Sequence, residues 1–363
     1  MPSPISFRLF TALCLGWLIS GCSDPHMLVE GCESKGNTRA YCDIGTPEDI
    51  AALPDERHLL LAHFGHMGKG AGGISLFDTR TEMLTPLITA ASEIADTEDR
   101  WGDPACVLPE ASTLSPHGTH LHRLDDGSWR YLVVNHAGGR ESIELFELMG
   151  EGTETSLRWR GCIEPLADTF INDVVGMNNG DIIYTRMFKT NMNLATAKGL
   201  LGIETGDLWR WQQGREPSII AGTEAIQPNG IEISADNQHV FANMYMTGEV
   251  WKVNIATAEI VDRAPVASAD NSAWGDDGRL WVATHTDKLL NTLSCLSEPY
   301  DACGLAYEIV AIDPEDMQSF EVVYAGKGSP MGAATIAVPQ AGRVYMGSFA
   351  GDRMISVPIS EFR

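Results

Sequence analysis

The sequence has few basic residues, no Cys-x-x-Cys pair and, beyond its N-terminus, no apolar segment long enough to cross a bilayer. Only 25 Lys and Arg residues stand against 49 Asp and Glu residues, which gives a formal net charge of −24. Because phosphate contacts need clustered basic side chains, this charge excludes a nucleic-acid partner and favours cation binding. The missing Cys-x-x-Cys pair argues against a zinc ribbon or a thioredoxin-type site.

The N-terminus has the pattern of a lipoprotein signal. Arg8 is the only charged residue before Cys22, and the apolar run between them ends in Ser20-Gly21. A basic start, a short apolar stretch and small residues at a cleavage site define a secretory signal. Because a cysteine follows Ser-Gly directly, the segment resembles a lipobox, in which Cys22 carries the lipid. The alternative is an ordinary signal peptide with an incidental cysteine.

These features predict a chain in three parts. Residues 1–21 form the lipoprotein signal peptide, residues 22–45 a polar, lipidated tether, and residues 46–363 one folded domain. The lipid is expected to be the only contact with a membrane. It would hold the protein in the bacterial cell envelope, at the outer membrane or in the periplasm, and Ser23 after the lipidated cysteine favours the outer membrane.

Six cysteines follow the lipobox, and an even count in an exported chain predicts disulfides. The spacing favours three pairs, Cys32–Cys42, Cys295–Cys303 and, by elimination, Cys106–Cys162. Six cysteines allow many other connectivities, so this pairing is one prediction among several.

Short apolar strands alternate with turn residues along the rest of the chain, and 192–200 is the one helix-like insertion. Pairs such as Asn179-Gly180 and Asp277-Gly278 form hairpin turns. The predicted strands are 58–62, 73–77, 130–135, 142–148, 181–185, 207–211, 239–243, 249–253, 279–284, 307–313, 343–347 and 354–357. Many short strands with few helical stretches indicate an all-β sandwich or a β-propeller.

A repeated pattern favours the propeller. An Asn or Asp, an apolar residue, a turn and a strand recur from Asn172, from Asn229 and from Asp270. Because the innermost strand of each blade lines the central channel, equivalent polar residues converge on the axis. The converging residues are Glu48, Asn172, Asn229, Asp270 and Asn271. Their oxygens are hard ligands that suit calcium, although each residue taken singly is also a common turn former.

Two histidines belong to one predicted hairpin. His117 lies in Pro116-His117-Gly118, and His136 follows the apolar strand that ends at Asn135. A neutral imidazole near a metal can deprotonate a water for attack. On placement alone, packing at a blade end is the favoured role for both.

Several segments occur in a characteristic order. They are Pro47-Glu48-Asp49-Ile50, Pro116-His117-Gly118, Tyr131-Leu132-Val133-Val134-Asn135-His136, Ser142-Ile143-Glu144-Leu145-Phe146, Asn172-Asp173-Val174, Pro228-Asn229-Gly230-Ile231 and Asp270-Asn271. Over residues 46–360 this ordered set resembles the paraoxonase/arylesterase family. Gluconolactonases and strictosidine-synthase-like proteins share single segments such as Asn-Gly-Ile, but the ordered set with two histidines is more specific.

The resemblance implies an all-β, six-bladed β-propeller with two calcium ions in its central channel. The catalytic ion would be held by Glu48, Asn172, Asn229, Asp270 and Asn271. The structural ion would be held by Asp49, Asp173 and the backbone carbonyl of Thr119. His117 and His136 would transfer protons while the catalytic ion polarises an ester or lactone carbonyl.

The implied activity is calcium-dependent hydrolysis of small-molecule lactones or aryl esters. One alternative is a gluconolactonase-like sugar lactonase in which the histidines matter less. The other is a non-catalytic binding propeller of the cell envelope with structural calcium only.

Three departures from the family pattern concern the substrate. Thr185-Arg186-Met187 stands where the family has an Asn-Asp-His run, 63–70 replaces a flap, and the loop 90–115, with Trp101-Gly102-Asp103-Pro104, is an addition. We therefore expect a pocket wall that differs from the family's.

Overall fold

The computed structural model describes residues 28–66, 69–88, 99–110, 113–137, 140–189, 191–297 and 301–362. The predicted signal peptide and the lipidation site Cys22 lie outside these residues, so both stay predictions. Strands are numbered along the chain from β1 (Arg39–Tyr41) to β25 (Met354–Pro358).

Within the described residues the strands form six antiparallel sheets, which are the six blades. The first blade contains β2 (Pro47–Ala52), β3 (His58–His63), β4 (Gly73–Asp78) and β5 (Leu84–Pro86). The second contains β7 (Pro116–Arg123), β8 (Trp129–Asn135), β9 (Ser142–Met149) and β10 (Ser156–Ile163), with β6 (Trp101–Gly102) added in parallel to β10. The third contains β11 (Phe170–Gly176), β12 (Ile182–Phe188), β13 (Asp207–Trp211) and β14 (Ser218–Ile219).

The remaining three blades follow the same order along the chain. The fourth contains β15 (Pro228–Ile233), β16 (His239–Met244), β17 (Glu249–Asn254) and β18 (Ile260–Ala264). The fifth contains β19 (Ala269–Trp274), β20 (Leu280–His285), β21 (Tyr307–Ile312) and β22 (Phe320–Gly326). The sixth contains β23 (Ala334–Gln340), β24 (Arg343–Ser348), β25 and β1.

The first strands of the six blades form a closed ring. Each of β2, β7, β11, β15, β19 and β23 contacts the next, and β23 contacts β2. This arrangement confirms the predicted six-bladed β-propeller with a central channel. The ring is closed with a strand from each end of the chain, because β1 pairs with β25. Residues 39–41, which the sequence assigned to the tether, are therefore part of the last blade.

Six apolar cores lie between neighbouring blades, one at each junction of the described ring. Strand β3 contributes side chains to two of these cores. Leu59 and Leu61 pack against the sixth blade, whereas Leu60 packs against the second. Because side chains alternate along a strand, a strand buried on both faces is a continuous apolar run. This is why such strands could be predicted.

Helix α1 (Met192–Leu200) confirms the predicted insertion, and a second helix, α2 (Leu289–Ser297), was not predicted. In the described part of the chain, neither helix has the length and apolar character needed to span a bilayer. All three predicted disulfides are present, Cys32–Cys42, Cys106–Cys162 and Cys295–Cys303. The disulfide Cys106–Cys162 and strand β6 fasten the long loop to the outer part of the second blade.

Candidate functional site

Each of the six innermost strands has a β-bulge, a break in its pairing register with the second strand of its blade. The bulges fall between Pro47 and Asp49, Pro116 and Thr119, Ile171 and Val174, Pro228 and Ile231, Ala269 and Ser272, and Ala334 and Ile336. A bulge leaves residues unpaired in the ladder and re-aims their side chains. Every predicted calcium ligand with a side-chain oxygen lies in or beside one of these bulges, as does His117.

Consecutive residues at a bulge face opposite ends of the channel. Glu48, Asn172 and Asp270 line a cavity at one end, together with His117 and Asn229. Their neighbours line a second cavity at the other end, and the set is Asp49, Asp173, Asn271 and Thr119. We call these the outer end and the inner end of the channel.

The outer end contains buried oxygens that lack hydrogen-bond donors. Glu48 Oε2, Asn172 Oδ1, Asn229 Oδ1 and Asn271 Oδ1 have no partner among the described residues. Asn271 Nδ2 donates to Glu48 Oε1 at 2.9 Å, so Asn271 also belongs to this group although it lines the inner cavity. Leaving a buried polar oxygen unpaired costs free energy, and four of them converging predicts a cation.

Burial also raises the pKa of the two carboxyl groups at the outer end. It raises the pKa of Asp270 to about 8 and the pKa of Glu48 well above its usual value, with the nearby Asp49 raising both further. A carboxylate that is unstable when ionised and buried becomes stable beside a cation.

The outer set depends on amide oxygens as well as carboxylates. Among the described residues, three His, Cys, Asp or Glu ligand atoms approach within 4.8 Å of one another only at Cys106, Cys162 and Glu164, where both cysteines are disulfide-bonded. Three of the five outer residues are asparagines. A mixed set of carboxylate and amide oxygens suits a hard cation with flexible coordination, such as calcium.

The inner end is built from carboxylates that do have partners. Asp49 accepts hydrogen bonds from the Thr119 amide at 2.6 Å, the Thr119 hydroxyl at 2.8 Å and the Ile50 amide at 2.8 Å. Asp173 accepts from the amides of Val174 at 2.7 Å and Ile231 at 2.8 Å. Burial raises the pKa of Asp49 to about 6 and that of Asp173 well above its usual value. The structure thus joins Thr119 to Asp49, while the role of its carbonyl stays a prediction.

Glycines allow the innermost strands to approach closely at the bulges. A Cβ atom on Gly118 would lie 2.2 Å from Asp173 Oδ1, and one on Gly230 would lie 2.4 Å from the Asp270 carbonyl oxygen. Both distances are impossible for a real side chain. The glycine in Pro-His-Gly and in Asn-Gly-Ile therefore has a packing reason beyond turn formation.

The two predicted histidines are in contact at the outer end. His117 Nδ1 lies 3.1 Å from His136 Nε2, and His117 Nε2 lies 3.9 Å from Glu48 Oε1. Burial, and next the neighbouring His136, lower the pKa of His117 well below its usual value, which keeps its imidazole neutral. A neutral imidazole with one nitrogen facing the ligand set can accept a proton.

Three polar residues at this end were not predicted from the sequence. Glu141 contacts His136 Nδ1 through both carboxylate oxygens, at 2.9 and 3.0 Å. His285 Nε2 lies 3.1 Å from the Ala334 carbonyl and 3.5 Å from Asp270 Oδ2, while its Nδ1 lies 3.1 Å from the Tyr245 hydroxyl. His285 ends the second strand of its blade and His136 follows the second strand of another, so the blade repeat carried a usable signal for His285.

The walls of the outer cavity are largely apolar. Residues at the ends of the second strands form part of the wall, and helices α1 and α2 form the rest. The apolar side chains are Phe64, Met187, Met192, Leu289, Leu293, Leu296 and Phe349. Of the segment Thr185-Arg186-Met187, which departs from the family pattern, only Met187 lines the cavity. Arg186 pairs instead with Asp207 at 2.5 Å. The segment 63–70, which stands in place of the family's flap, contributes Phe64. Phe64 packs on His117 with ring centroids 4.9 Å apart.

The fold and the channel define a six-bladed propeller with oxygen ligands on its axis. A family model described as Arylesterase matches residues 104–353. The chain therefore belongs to the arylesterase family, as the ordered segments indicated.

Solved structures show the same fold at low sequence identity. A luciferin-regenerating enzyme is 11% identical with a TM-score of 0.51, and the match covers 88% of this chain and 95% of that one. A gluconolactonase from Xanthomonas campestris is 14% identical with a TM-score of 0.50, covering 92% and 94%. At these identities the likeness concerns the fold alone. A search of curated protein sequences finds no match.

Proposed function

We propose that this chain is a calcium-dependent hydrolase of lactones or aryl esters. The observation that carries the proposal is the group of unpaired buried oxygens, from Glu48, Asn172, Asn229 and Asn271, beside a contacting pair of histidines. Membership of the arylesterase family supports the same reaction class.

Two calcium ions fit the residues present. The outer ion would be held by Glu48, Asn172, Asn229, Asp270 and Asn271. Four of them, all except Asp270, have an oxygen without a hydrogen-bond partner among the described residues. The inner ion would be held by Asp49 and Asp173, with the Thr119 carbonyl. When bound, calcium at the outer end would supply a Lewis acid able to polarise a carbonyl group and stabilise an oxyanion.

The histidines supply proton transfer. His117 Nε2 faces the ligand set, so it accepts the proton of the attacking water as the water oxygen bonds to the carbonyl carbon. When the bond from that carbon to the leaving oxygen breaks, His117 returns the proton to the leaving oxygen. His136 holds His117 in position through the contact between their rings.

The apolar wall favours lipophilic lactones and aryl esters over sugar lactones. Sugar hydroxyl groups need hydrogen-bond partners, and burying them against Phe64, Met187 and Leu293 would leave them unpaired. The gluconolactonase-like alternative is therefore less well supported than the aryl ester or lactone reaction.

The location belongs to the same proposal. We place the protein in the bacterial cell envelope, held by lipid on Cys22 and without a nucleic-acid partner. Three disulfides support export, because such bonds persist in oxidising compartments. Metabolic labelling with a fatty acid tests the anchor: label must disappear in Cys22→Ala, and unchanged label would refute it.

An assay of the soluble domain tests the reaction. The metal-loaded protein should turn over members of a panel of lactones and aryl esters, and exhaustive chelation should abolish turnover. His117→Gln should lower kcat by ~10²-fold or more, a usual share for general-base catalysis, with calcium still bound. No turnover of any panel member by calcium-loaded protein would favour the non-catalytic binding propeller.

A further inference from the structure

We infer that Glu141 is a positioning residue that completes a three-residue relay, Glu141–His136–His117, and fixes which nitrogen of His117 can accept a proton. The inference rests on the proposed hydrolase function and deepens it. Its starting point is geometry: both carboxylate oxygens of Glu141 lie within 3.0 Å of His136 Nδ1.

The hydrogen-bond chain assigns both imidazole tautomers. An ionised carboxylate only accepts hydrogen bonds, so His136 Nδ1 must carry the hydrogen that points at Glu141. Neutral His136 then has a lone pair on Nε2, which accepts from His117 Nδ1–H at 3.1 Å. Neutral His117 is left with its lone pair on Nε2. That is the nitrogen 3.9 Å from Glu48, facing the ligand set.

Surrounding contacts hold this arrangement in place. The Ile171 amide donates to Glu141 Oε2 at 3.2 Å, which ties the carboxylate to the neighbouring blade. Phe170 stacks on His136 with ring centroids 4.4 Å apart and planes 11° apart. The adjacent Arg140 is directed elsewhere, since it pairs with Glu144 at 3.7 Å and Glu164 at 3.5 Å. The Glu141 charge is thus available to His136.

The relay also accounts for the proton during turnover. When His117 Nε2 takes a proton from water, the imidazole becomes a cation with hydrogens on both nitrogens. Its Nδ1–H still points at His136, whose own Nδ1–H points at the Glu141 carboxylate. A buried cation is stabilised by an anion at the end of such a chain, and the same proton then leaves from Nε2 to the leaving oxygen.

The substitution that tests the relay is Glu141→Gln. The introduced amide can donate to His136 Nδ1, which would reverse both tautomers and place a hydrogen on His117 Nε2. A wrong tautomer removes the base while leaving the shape of the site unchanged. We expect kcat to fall by at least ~10²-fold, with KM, calcium affinity and melting temperature unchanged, and Glu141→Asp to recover part of the loss.

The matched control is Glu147→Gln. Glu147 lies on the adjacent strand β9 and pairs with Arg160 at 2.7 Å, away from the histidines. It should lose no turnover. A fall in kcat equal to that of Glu141→Gln would show that any glutamate lost from this hairpin has the same effect, and would overturn the relay.

Nitrogen-15 NMR of the imidazoles decides the question without an assay. In the wild-type protein, His117 Nε2 and His136 Nε2 should be unprotonated, and in Glu141→Gln both should be protonated. Identical tautomers in the two proteins would overturn the relay. Because this readout requires no turnover, an inactive wild-type protein with the expected tautomers would refute the hydrolase proposal and leave the relay standing.

Discussion

The two ends of the channel use the same strands for different purposes. At the outer end, Glu48, Asn172 and Asn229 present buried oxygens that have no donor in the described part of the chain. At the inner end, the carboxylates of Asp49 and Asp173 accept four backbone hydrogen bonds, and the donors are the amides of Ile50, Thr119, Val174 and Ile231. Unmet hydrogen-bonding capacity, more than negative charge, therefore distinguishes the end at which we propose that substrate binds.

Cavity volume alone would select the inner end as the substrate site. The inner cavity has a volume of about 340 Å³ and the outer one about 80 Å³. Yet the outer cavity holds His117 and the apolar wall, which are the features of a small-molecule site. The inner cavity has mostly polar walls, including His120, Glu232 and Asp276. We therefore assign substrate to the outer end and structural support to the inner end.

Removing an outer ligand should have the largest effect. Asn229→Ala removes one of the unpaired oxygens, so the outer ion is lost and turnover should fall by at least ~10³-fold, as when transition-state stabilisation is removed. Steady-state assays at saturating calcium measure this loss. Asn229→Asp keeps an oxygen in place and should retain more activity. Equal activity in Asn229→Ala and the wild type would contradict the assignment of the outer end.

Removing the inner ion should chiefly affect stability. Chelation should lower the melting temperature, because an ion bound only to the native state at ~100 times its Kd contributes about 2.7 kcal/mol. In Asp173→Asn, the drop in melting temperature on chelation should be less than half of the drop in the wild-type protein, as measured by calorimetry. The exposed-turn variant Asp236→Asn should keep the full shift. An unchanged melting temperature after exhaustive chelation would rule out a structural ion.

Acid should destabilise the protein through His63 at the end of β3. Burial lowers the pKa of His63 to about 4. As the pH falls, the imidazole of His63 is therefore protonated in the unfolded chain before it is protonated in the folded protein, starting near pH 6.5. The free energy of unfolding decreases as the pH drops from there towards 4. The loss is about 1–3 kcal/mol, and His63→Gln should remove it. Denaturant unfolding at several pH values measures the difference; parallel pH dependences in the two proteins would be the contrary result.

The smallest expected effect concerns the apolar wall. Leu293→Asn should lower kcat/KM for a long-chain lactone by about 5-fold, roughly 1 kcal/mol of lost apolar burial, with little change for a small aryl ester. Leu290 is a matched control on the same helix, since it is 75% exposed and does not line the cavity. If Leu290→Asn had the same selective effect, the wall would not determine substrate choice.

The sequence was most informative for strands that are buried on both faces. Strands such as β3 and β8 are continuous apolar runs because both faces are buried, and they were predicted. The innermost strands were not recognised as strands. Their bulges place Asn-Gly and Asp-Asn inside the strand, and these pairs are otherwise turn formers. Helix α2 was missed because its short apolar face covers the cavity, a tertiary contact that local pattern does not reveal.

The candidate site likewise contains residues that a sequence pattern could predict and residues that depend on tertiary contacts. Its candidate oxygen ligands were predictable because they recur with the blades and match an ordered family pattern. Glu141 has neither signal, since it lies in a connection between two strands and depends on the path that brings it back to His136. The repeat indicated which residues converge on the channel axis, but the contacts across connections required the structure.

A calcium titration of metal-free protein would separate the proposed catalytic ion at the outer end from the proposed structural ion at the inner end. Bound ions, melting temperature and turnover of an aryl ester and a lactone would be followed in the same samples. The two-ion proposal predicts two bound ions per chain. Asn229→Ala should lose turnover but keep the inner ion, and in Asp173→Asn the drop in melting temperature on chelation should shrink to less than half of the wild-type drop. Full turnover in metal-free protein, or the loss of both properties together in each variant, would contradict it.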